Sequence, residues 1–231
     1  MDLVTVASFD IGKKNFAFCI EEFDRTLLES IPTPTSKYKI DGTPTLPMQQ
    51  SLKKVFQNGK IILHKNIDLT YNCDEKKMLD PETFHNMIDE LNKYKSYWDN
   101  CLCFIIEEQM SFGKKLNKMA MKLGQHCYSY FTFYYGRTKQ VIEFHAYHKT
   151  QVLGAPKSQG KPYKSGKIRY KAMEKTDRKK WTVEKAIQIL SDRGEQEVLK
   201  NLTNKKKKDD LADTLCQLQA AKYRIFVEKI I

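Results

Sequence analysis

Four carboxylates stand at positions where a protein of the α/β class builds a functional site. Asp10 and Glu107 each end an apolar, β-rich segment, and the carboxyl ends of strands are where open α/β sheets place their sites. Asp210 and Asp213 lie three residues apart at the start of a predicted helix, so both project from one face of that helix. We therefore expect these four side chains to converge.

Carboxylates that converge at the end of a buried strand repel one another, and their pKa values rise. A bound divalent cation removes that cost, and a ligand set made only of oxygen selects Mg²⁺ or Mn²⁺ over zinc. Taken singly, each carboxylate is better explained as a structural residue, for example as a helix cap. Four of them together on a basic chain favour a metal site.

The composition of the chain points to a polyanionic partner. Its 231 residues include 40 Lys and Arg against 28 Asp and Glu, a net charge of +12, which favours nucleic acid before membrane. No apolar run approaches the ~18 residues of a transmembrane helix, and no basic segment precedes the apolar N-terminal run, so a secretory signal is not expected. The six cysteines form no Cys-x-x-Cys pair, and we expect buried, reduced thiols in an intracellular protein.

Most of the excess charge lies in residues 149–180, which hold eleven cations and two anions. The predicted DNA contacts are cations of this segment and of the turn after Asp10, namely Lys13, Lys14, Lys157, Lys161, Lys164, Lys167, Arg169, Lys179 and Lys180. The lysine run 205–208 is either a surface loop or a further phosphate contact. His145 and His148 are more readily explained as hydrogen-bonding or phosphate-contact residues than as metal ligands.

The hydrophobic pattern predicts the element order β-β-β-α-β-α-β-α-α. The predicted strands are 3–9, 16–20, 60–65, 101–106 and 138–145, and the predicted helices are 80–98, 114–134, 182–193 and 209–226. Four of the seven prolines fall between residues 30 and 59, which predicts a mostly irregular insertion. The order implies one α/β domain over residues 1–231 with a mixed sheet, interrupted by this insertion and by a basic segment at about 154–180.

The predicted helix 114–134 carries a wide apolar stripe that includes Met119, Leu123 and Cys127 and continues into the aromatic run 128–135. This stripe predicts packing in the core or at a subunit interface. Stacking of the aromatic run on unpaired bases is the less favoured alternative.

Three segments resemble the acidic motifs of the RuvC-type Holliday junction resolvases, in particular those of poxviruses. They are Phe-Asp-Ile-Gly-Lys-Lys-Asn at 9–15, Ile-Ile-Glu-Glu-Gln at 105–109 and Lys-Lys-Asp-Asp-Leu-Ala-Asp-Thr-Leu at 207–215. The resemblance implies a ribonuclease H-like fold, with a mixed five-stranded sheet flanked by helices. It also implies a Mg²⁺-dependent homodimer that resolves four-way DNA junctions by paired nicks, in viral recombination and concatemer processing in the host cytoplasm.

Carried over residue by residue, the resemblance assigns the metal ligands to Asp10, Glu107, Asp210 and Asp213, with Glu108 the less favoured glutamate. It implies two Mg²⁺ ions per site, which Mn²⁺ can replace. In such a site one ion generates hydroxide and the other stabilises the leaving oxygen.

The segment 148–154 is similar to the lysine-containing segment of the family, so Lys149 is the expected catalytic cation on the phosphate side. Lys179 and Lys180 are alternatives in poorer register. The segments 30–59 and 154–178 are longer than compact members need, which leaves the preferred substrate open.

Two other function classes compete with a nuclease. The Asp-Ile-Gly-Lys-Lys-Asn motif at 10–15 also resembles the phosphate loop of sugar-kinase-type ATPases, but those proteins need a second lobe for which 231 residues are too few. A non-catalytic DNA-binding protein would explain the charge. It would leave Asp10, Glu107, Asp210 and Asp213 unexplained, since acids near a DNA surface weaken binding unless a cation covers them.

Overall fold

Five strands form one mixed sheet in the computed structural model of the chain, which describes residues 1–73, 80–109, 117–163, 165–205 and 207–230. The strands are β1 (Leu3–Asp10), β2 (Phe16–Asp24), β3 (Lys60–Ile67), β4 (Cys101–Glu108) and β5 (Gln140–His145). Their order in the sheet is β3-β2-β1-β4-β5. The pairs β1–β2 and β2–β3 are antiparallel, whereas β1–β4 and β4–β5 are parallel. The predicted mixed five-stranded sheet is confirmed.

Nine α-helices connect and cover these strands within the described residues. They are α1 (Arg25–Glu29), α2 (Leu46–Gln57), α3 (Pro81–Lys93), α4 (Lys95–Asn100), α5 (Lys118–Tyr135), α6 (Ala146–Val152), α7 (Lys175–Arg193), α8 (Gln196–Asn204) and α9 (Lys208–Lys222). A π-helical turn, Tyr223–Val227, extends α9, and a small hairpin pairs β6 (Ser158–Gly160) with β7 (Arg169–Lys171).

Helices cover both faces of the sheet, so the central strands are buried on two sides. On one face, α3, α4 and α5 enclose an aromatic cluster in which Phe104 stacks on Phe131 with ring centroids 3.9 Å apart. On the other face α9 packs against β1 and β2, with α7 behind it. This double coverage explains why β1 and β4 read as near-continuous apolar runs.

The helix boundaries differ from the sequence prediction in three places. The segment 30–59 is mostly irregular as predicted, but it also contains a helix that was not predicted, Leu46–Gln57, with Pro47 in the first turn where a proline costs no hydrogen bond. The predicted helix 80–98 starts at the predicted Asp80 cap, which accepts a hydrogen bond from Glu82 N, but it is two helices that meet at Tyr94. The predicted helix 182–193 begins seven residues earlier, at Lys175.

The helix α8 was not predicted at all. Residues 114–116, where the helix preceding β5 was expected to begin, lie outside the described residues.

The apolar stripe of α5 belongs to the core, since Leu123 and Cys127 are fully buried within the chain and Met119 packs against the same cluster. For these three residues the subunit-interface interpretation is therefore wrong, and core packing, the alternative, is confirmed.

A buried ionic network joins β2 to α7 and α9. The Glu21 carboxylate accepts hydrogen bonds from Arg193 Nη2 at 2.9 Å and from Lys222 Nζ at 2.5 Å, and these charges hold the pKa of Glu21 below its ordinary value although burial acts to raise it. A Cβ atom on Gly59 would lie 1.9 Å from Glu21 Oε1, so only glycine leaves room for the carboxylate. The network fixes the ends of these helices against the sheet.

The six cysteines are free thiols, five of them buried and Cys73 partly exposed, as predicted. In the described part of the chain, no helix combines the length and the apolar character needed to span a bilayer.

Candidate active site

The topology of the sheet brings Asp10 and Glu107 to the same edge. Strands β1 and β4 are parallel neighbours, and their register pairs Phe9 with Ile106, so the next residue of each strand is a carboxylate at its C-terminal end. Helix α9 packs on β1 and contributes Asp213 from its first turns. These three predicted residues therefore lie together.

A lysine lies at the centre of this group. Lys149 Nζ is 2.9 Å from Glu107 Oε2 and 3.0 Å from Asp213 Oδ1, and its side chain is only 7% exposed. It reaches the group because α6 begins directly after β5, whose Phe144 pairs with Glu107. Of the three lysines that the sequence left open, Lys149 is the one in contact with two predicted ligands. We call Asp10, Glu107, Asp213 and Lys149 the carboxylate cluster.

The charges of the cluster act strongly on one another. Burial, followed by the negative charge of Glu107, raises the pKa of Asp10 well above its ordinary value. Burial acts to lower the pKa of Lys149, but the charges of Glu107, Asp213 and Asp10 outweigh it, so the pKa is raised. Lys149 is therefore an ammonium ion at any physiological pH, and it compensates part of the negative charge around it.

Asp210 lies at the rim of the cluster. Its Oδ2 accepts a hydrogen bond of 3.4 Å from Asn66 Nδ2 on β3, and burial, together with the neighbouring Asp209, raises its pKa. Asp209 in turn pairs with Lys179. The predicted cation Lys179 thus lies at the mouth of the site, whereas Lys180 lies outside it and approaches Glu184 at 3.9 Å.

The structure separates the two neighbouring glutamates of β4. Glu108 pairs with His145 on the next strand, away from Lys149. His148 lies against Arg224, whose Nη1 is 2.8 Å from His148 Nε2. Burial and then the charge of Arg224 lower the pKa of His148 to about 4. Neither histidine contacts the carboxylate cluster, in keeping with their interpretation as hydrogen-bonding residues.

The donor set of the cluster fits the divalent cations that the resemblance implies. Among the described residues, no three side chains of His, Cys, Asp or Glu form a ready-made ligand group, and the Lys149 ammonium lies between two of the carboxylates. The donors are all oxygen, and burial, followed by the charge of Glu107, raises the pKa of Asp10 although Lys149 acts to lower it. An oxygen-only set short of positive charge suits Mg²⁺ or Mn²⁺.

Two polar residues that support the cluster were missed by sequence reasoning. Gln217 Nε2 lies 3.0 Å from Ser8 Oγ, 3.1 Å from Phe9 O and 3.3 Å from Ile105 O, and thereby ties α9 to the ends of β1 and β4. Asn66 holds Asp210 from β3. The available signal was a glutamine, Gln217, one turn after Asp213 among apolar residues of the predicted helix.

The other predicted cations lie in two segments of the chain. Lys13 and Lys14 follow Asp10 in the β1–β2 turn, and the exposed Lys157, Lys161, Lys167 and Arg169 belong to the β6–β7 region. Lys164 lies outside the described residues. The aromatic run 128–135 is divided, with Phe131 buried and Phe133 85% exposed.

Comparisons with known proteins agree with this architecture. No protein-family model matches the chain. The structure of the Fowlpox virus resolvase in complex with its substrate Holliday junction DNA superposes with a TM-score of 0.53 at 19% identity, over 96% of this chain and 99% of that chain. A second structure of the Fowlpox virus Holliday junction resolvase gives a TM-score of 0.51 at 16% identity, over 95% and 98%. The protein thus shares the fold of this viral resolvase, in agreement with the ribonuclease H-like fold that the motifs implied.

Sequence relatives come from another group of viruses. Uncharacterized protein 170L of Invertebrate iridescent virus 6 is 35% identical over 98% of this chain and 92% of its own length. Uncharacterized protein 97L of Invertebrate iridescent virus 3 is 30% identical over 93% and 98%. The chain belongs to this family of iridescent-virus proteins.

Proposed function

We propose that the protein is a structure-selective DNA endonuclease that resolves four-way junctions by paired, metal-dependent nicks. The observation that carries this proposal is the convergence of Asp10, Glu107 and Asp213 on the buried Lys149 at the C-terminal edge of the sheet. The shared fold with a viral resolvase described in complex with Holliday junction DNA supports the choice of substrate.

Asp10, Glu107, Asp210 and Asp213 would hold the divalent cations, two per site as the motifs imply. When bound, such ions supply a nucleophile at neutral pH and offset charge on the leaving oxygen. The work of the chain itself is to keep four carboxylates close together on a rigid frame. Gln217 contributes to that rigidity, because it ties α9 to both strand ends.

Lys149 has a separate role in this proposal. Glu107 and Asp213 hold its ammonium group in place and keep it protonated, so no ordering is required when the substrate arrives. A fixed positive charge beside the scissile phosphate stabilises the negative charge that develops during cleavage. Lys149 would then serve as the phosphate-side cation that the motif implies.

The cations that the sequence predicts as DNA contacts would bind the phosphates, among them Lys13 and Lys14, which follow Asp10, and Lys161, Lys167 and Arg169 of the β6–β7 region. The net charge of +12 favours fast, salt-dependent association with a polyanion. We further propose that the chain is a single nuclease domain and works as a homodimer in the host cytoplasm.

The test is cleavage of an end-labelled four-way junction by the purified protein, with a linear duplex of the same arm sequence as the control. We expect nicks near the branch in Mg²⁺ or Mn²⁺, none in EDTA, and none in the duplex. Failure to cut the junction in either cation, or equal cutting of the duplex, would contradict the proposal.

A further inference from the structure

A cavity of about 390 Å³ lies on the other side of α6 from the carboxylate cluster. Tyr147, Thr150 and Gln151 line it from α6, and these positions share one helical face, whereas Lys149 projects from a different one. The volume falls within the range of ligand pockets, roughly 300–1,000 Å³. A single helix thus presents the active-site lysine on one side and this cavity on the other.

The two long segments of the chain build the rest of the cavity. Lys157 N donates a 2.7 Å hydrogen bond to Asp41 O, which joins the basic segment to the 30–59 segment. Gly154 has a φ of +77°, and a Cβ atom there would lie 2.5 Å from Pro44, so the two segments touch at a point where only glycine fits. The cavity is therefore a packed feature of the fold.

The lining combines rings and cations. Tyr38, Tyr147 and Tyr170 contribute rings, Lys157 and Arg178 contribute positive charge, and no carboxylate belongs to the described lining. We call these five residues, with Gln151, the tyrosine pocket. Neither Lys157 nor Arg178 forms an ion pair with any residue that the structure describes. The pocket therefore suits a ligand that is both aromatic and anionic.

A nucleotide has this chemistry. Stacking of a base on an aromatic ring is favourable and tolerates any base, and arginine can stack on a base or bind its phosphate. The exposed Gln151 offers an amide that can pair with a base edge. The Tyr147 ring is 51% exposed and already stacks on His145, with centroids 5.2 Å apart and planes 13° apart.

The position of the pocket indicates which nucleotide it takes. An α-helix with its side chains is about 10–12 Å wide, which corresponds to roughly three nucleotides of stacked strand at about 3.4 Å each. A base reaches rings inside a cavity only when it leaves the stack. Unpaired bases of this kind occur where strands branch.

We propose that the tyrosine pocket binds an unpaired nucleotide of branched DNA, about three nucleotides from the scissile phosphate. This proposal rests on the endonuclease function and deepens it, because it gives the protein a way to prefer branches over duplex. It also assigns the 30–59 segment a role, since that segment contributes Tyr38 to the pocket wall.

The experiment uses 2-aminopurine, whose fluorescence falls when it stacks, at each position near the branch of a four-way junction, without divalent cation. The wild-type protein should change the fluorescence of the probe at one position, where the base exchanges its DNA neighbours for the pocket rings. Tyr147→Leu and Tyr170→Leu should alter or abolish that change, whereas Tyr147→Phe, which keeps the ring, should reproduce the wild-type signal. The matched control is Tyr163→Leu, because Tyr163 is an exposed tyrosine of the same basic segment outside the pocket lining.

A second arm measures binding of a single-stranded trinucleotide and of a free deoxynucleoside monophosphate. The trinucleotide should bind more tightly, and each leucine variant in the pocket should weaken it at least about fivefold, the equivalent of about 1 kcal/mol of stacking. This arm needs no cleavage, so it reports on the pocket even if the nuclease test fails.

Three results would overturn the proposal. The fluorescence of the probe could stay the same at every position on a junction that the protein binds and cuts. Tyr163→Leu could weaken binding as much as the pocket variants. The free monophosphate could bind more tightly than the trinucleotide, which would identify a site for a free nucleotide instead.

Discussion

Glu107 and Glu108 are neighbours in one strand, yet their side chains have different partners. Successive side chains of a strand point to opposite faces, so Glu107 meets Lys149 while Glu108 meets His145. If the metal-ligand role were assigned to Glu108 and not to Glu107, the ligand would be a carboxylate that is 39% exposed and not one that is mostly buried. The pair offers a matched comparison for testing the site.

Removal of a single carboxylate charge from the predicted ligand set should abolish cleavage. Asp10→Asn, Glu107→Gln, Asp210→Asn and Asp213→Asn each keep the shape of the side chain, and each should slow nicking by more than about 100-fold, since loss of a residue that merely supports a metal ligand already costs 10–100-fold. Junction binding, measured without divalent cation, should be largely kept, because a carboxylate does not itself bind the negatively charged phosphates of DNA.

Glu108→Gln is the control for these variants, because it removes the same charge one residue away. We expect its nicking rate to stay within about tenfold of wild type, a difference of about 1.36 kcal/mol or less in activation free energy. If Glu108→Gln were inactive and Glu107→Gln active, the assignment of the strand-end glutamate would be off by one residue.

At the scale of elements, the position of α9 depends on hydrogen bonds to three strands of the sheet, β1, β3 and β4. Besides Gln217, it is held by His64 on β3, whose Nε2 lies 3.0 Å from Leu211 O. The carbonyl oxygen can only accept, so Nε2 carries the proton, and Nδ1 is buried without a hydrogen-bond partner among the described residues. Burial lowers the pKa of His64 from 6.5 to about 4, so the imidazole is neutral at pH 7.

This arrangement predicts acid destabilisation through His64. Since the folded-state pKa lies below that of the unfolded chain, its contribution to stability is complete above pH 6.5 and is lost as the pH falls to about 4. The loss is about 3 kcal/mol in the free energy of unfolding. His64→Gln keeps a donor for Leu211 O but does not titrate, so urea unfolding at pH 7 and pH 4 should show a smaller loss for the variant. Equal losses in both proteins would contradict the prediction.

At this scale, the sequence predicted the features that are marked by neighbouring residues and missed those that depend on residues far apart in the chain. The strand ends at Asp10 and Glu107 were found because each closes an apolar run, and the Asp80 cap because it directly precedes Pro81. Helix α2 was missed because Pro47 reads as a breaker unless its first-turn position is known. The contacts of Glu21 with Arg193 and Lys222 span 172 and 201 residues, and no local pattern indicates such pairs.

At the scale of the whole molecule, charge is unevenly distributed. The segment 149–180 holds eleven cations and two anions, and Lys161, Lys167 and Arg169 of its β6–β7 region are exposed. Lys53, Lys54 and Lys60 are equally exposed, but Lys60 begins β3 at the opposite edge of the sheet. The two sets therefore allow a charge-matched comparison.

Neutralisation of Lys161, Lys167 and Arg169 to Gln should weaken junction binding for all DNA sequences. Removal of one phosphate contact should reduce the slope of log K against log salt by about 0.9. The triple variant of Lys53, Lys54 and Lys60 removes the same charge and should keep the wild-type slope. Fluorescence anisotropy across a salt series measures both, and equal slopes for the two triple variants would place the basic segment away from DNA.

Resolution of a four-way junction places a requirement on the oligomeric state of the protein. A four-way junction has near-twofold symmetry, and its resolution needs two nicks on opposed strands, which a C₂ dimer supplies with two identical sites. The part of the α5 stripe around Leu123 and Cys127 cannot form that interface, because both residues are buried in the chain. The ring of Phe133 at the end of the same helix is 85% exposed, and the neighbouring Tyr134 is 46% exposed.

We therefore expect a dimer whose contact includes the exposed end of α5. Sedimentation at micromolar concentration should give twice the 27.1 kDa chain mass. Phe133→Glu should yield a folded monomer that binds branched DNA weakly and no longer makes paired incisions, whereas Cys127→Glu should unfold the chain because it buries a charge in the core. A wild-type protein that stays monomeric both free and on a junction would contradict the dimer. In that case the two nicks would have to be made by independent binding events, and the advantage of a symmetric enzyme on a symmetric substrate would not apply to this protein.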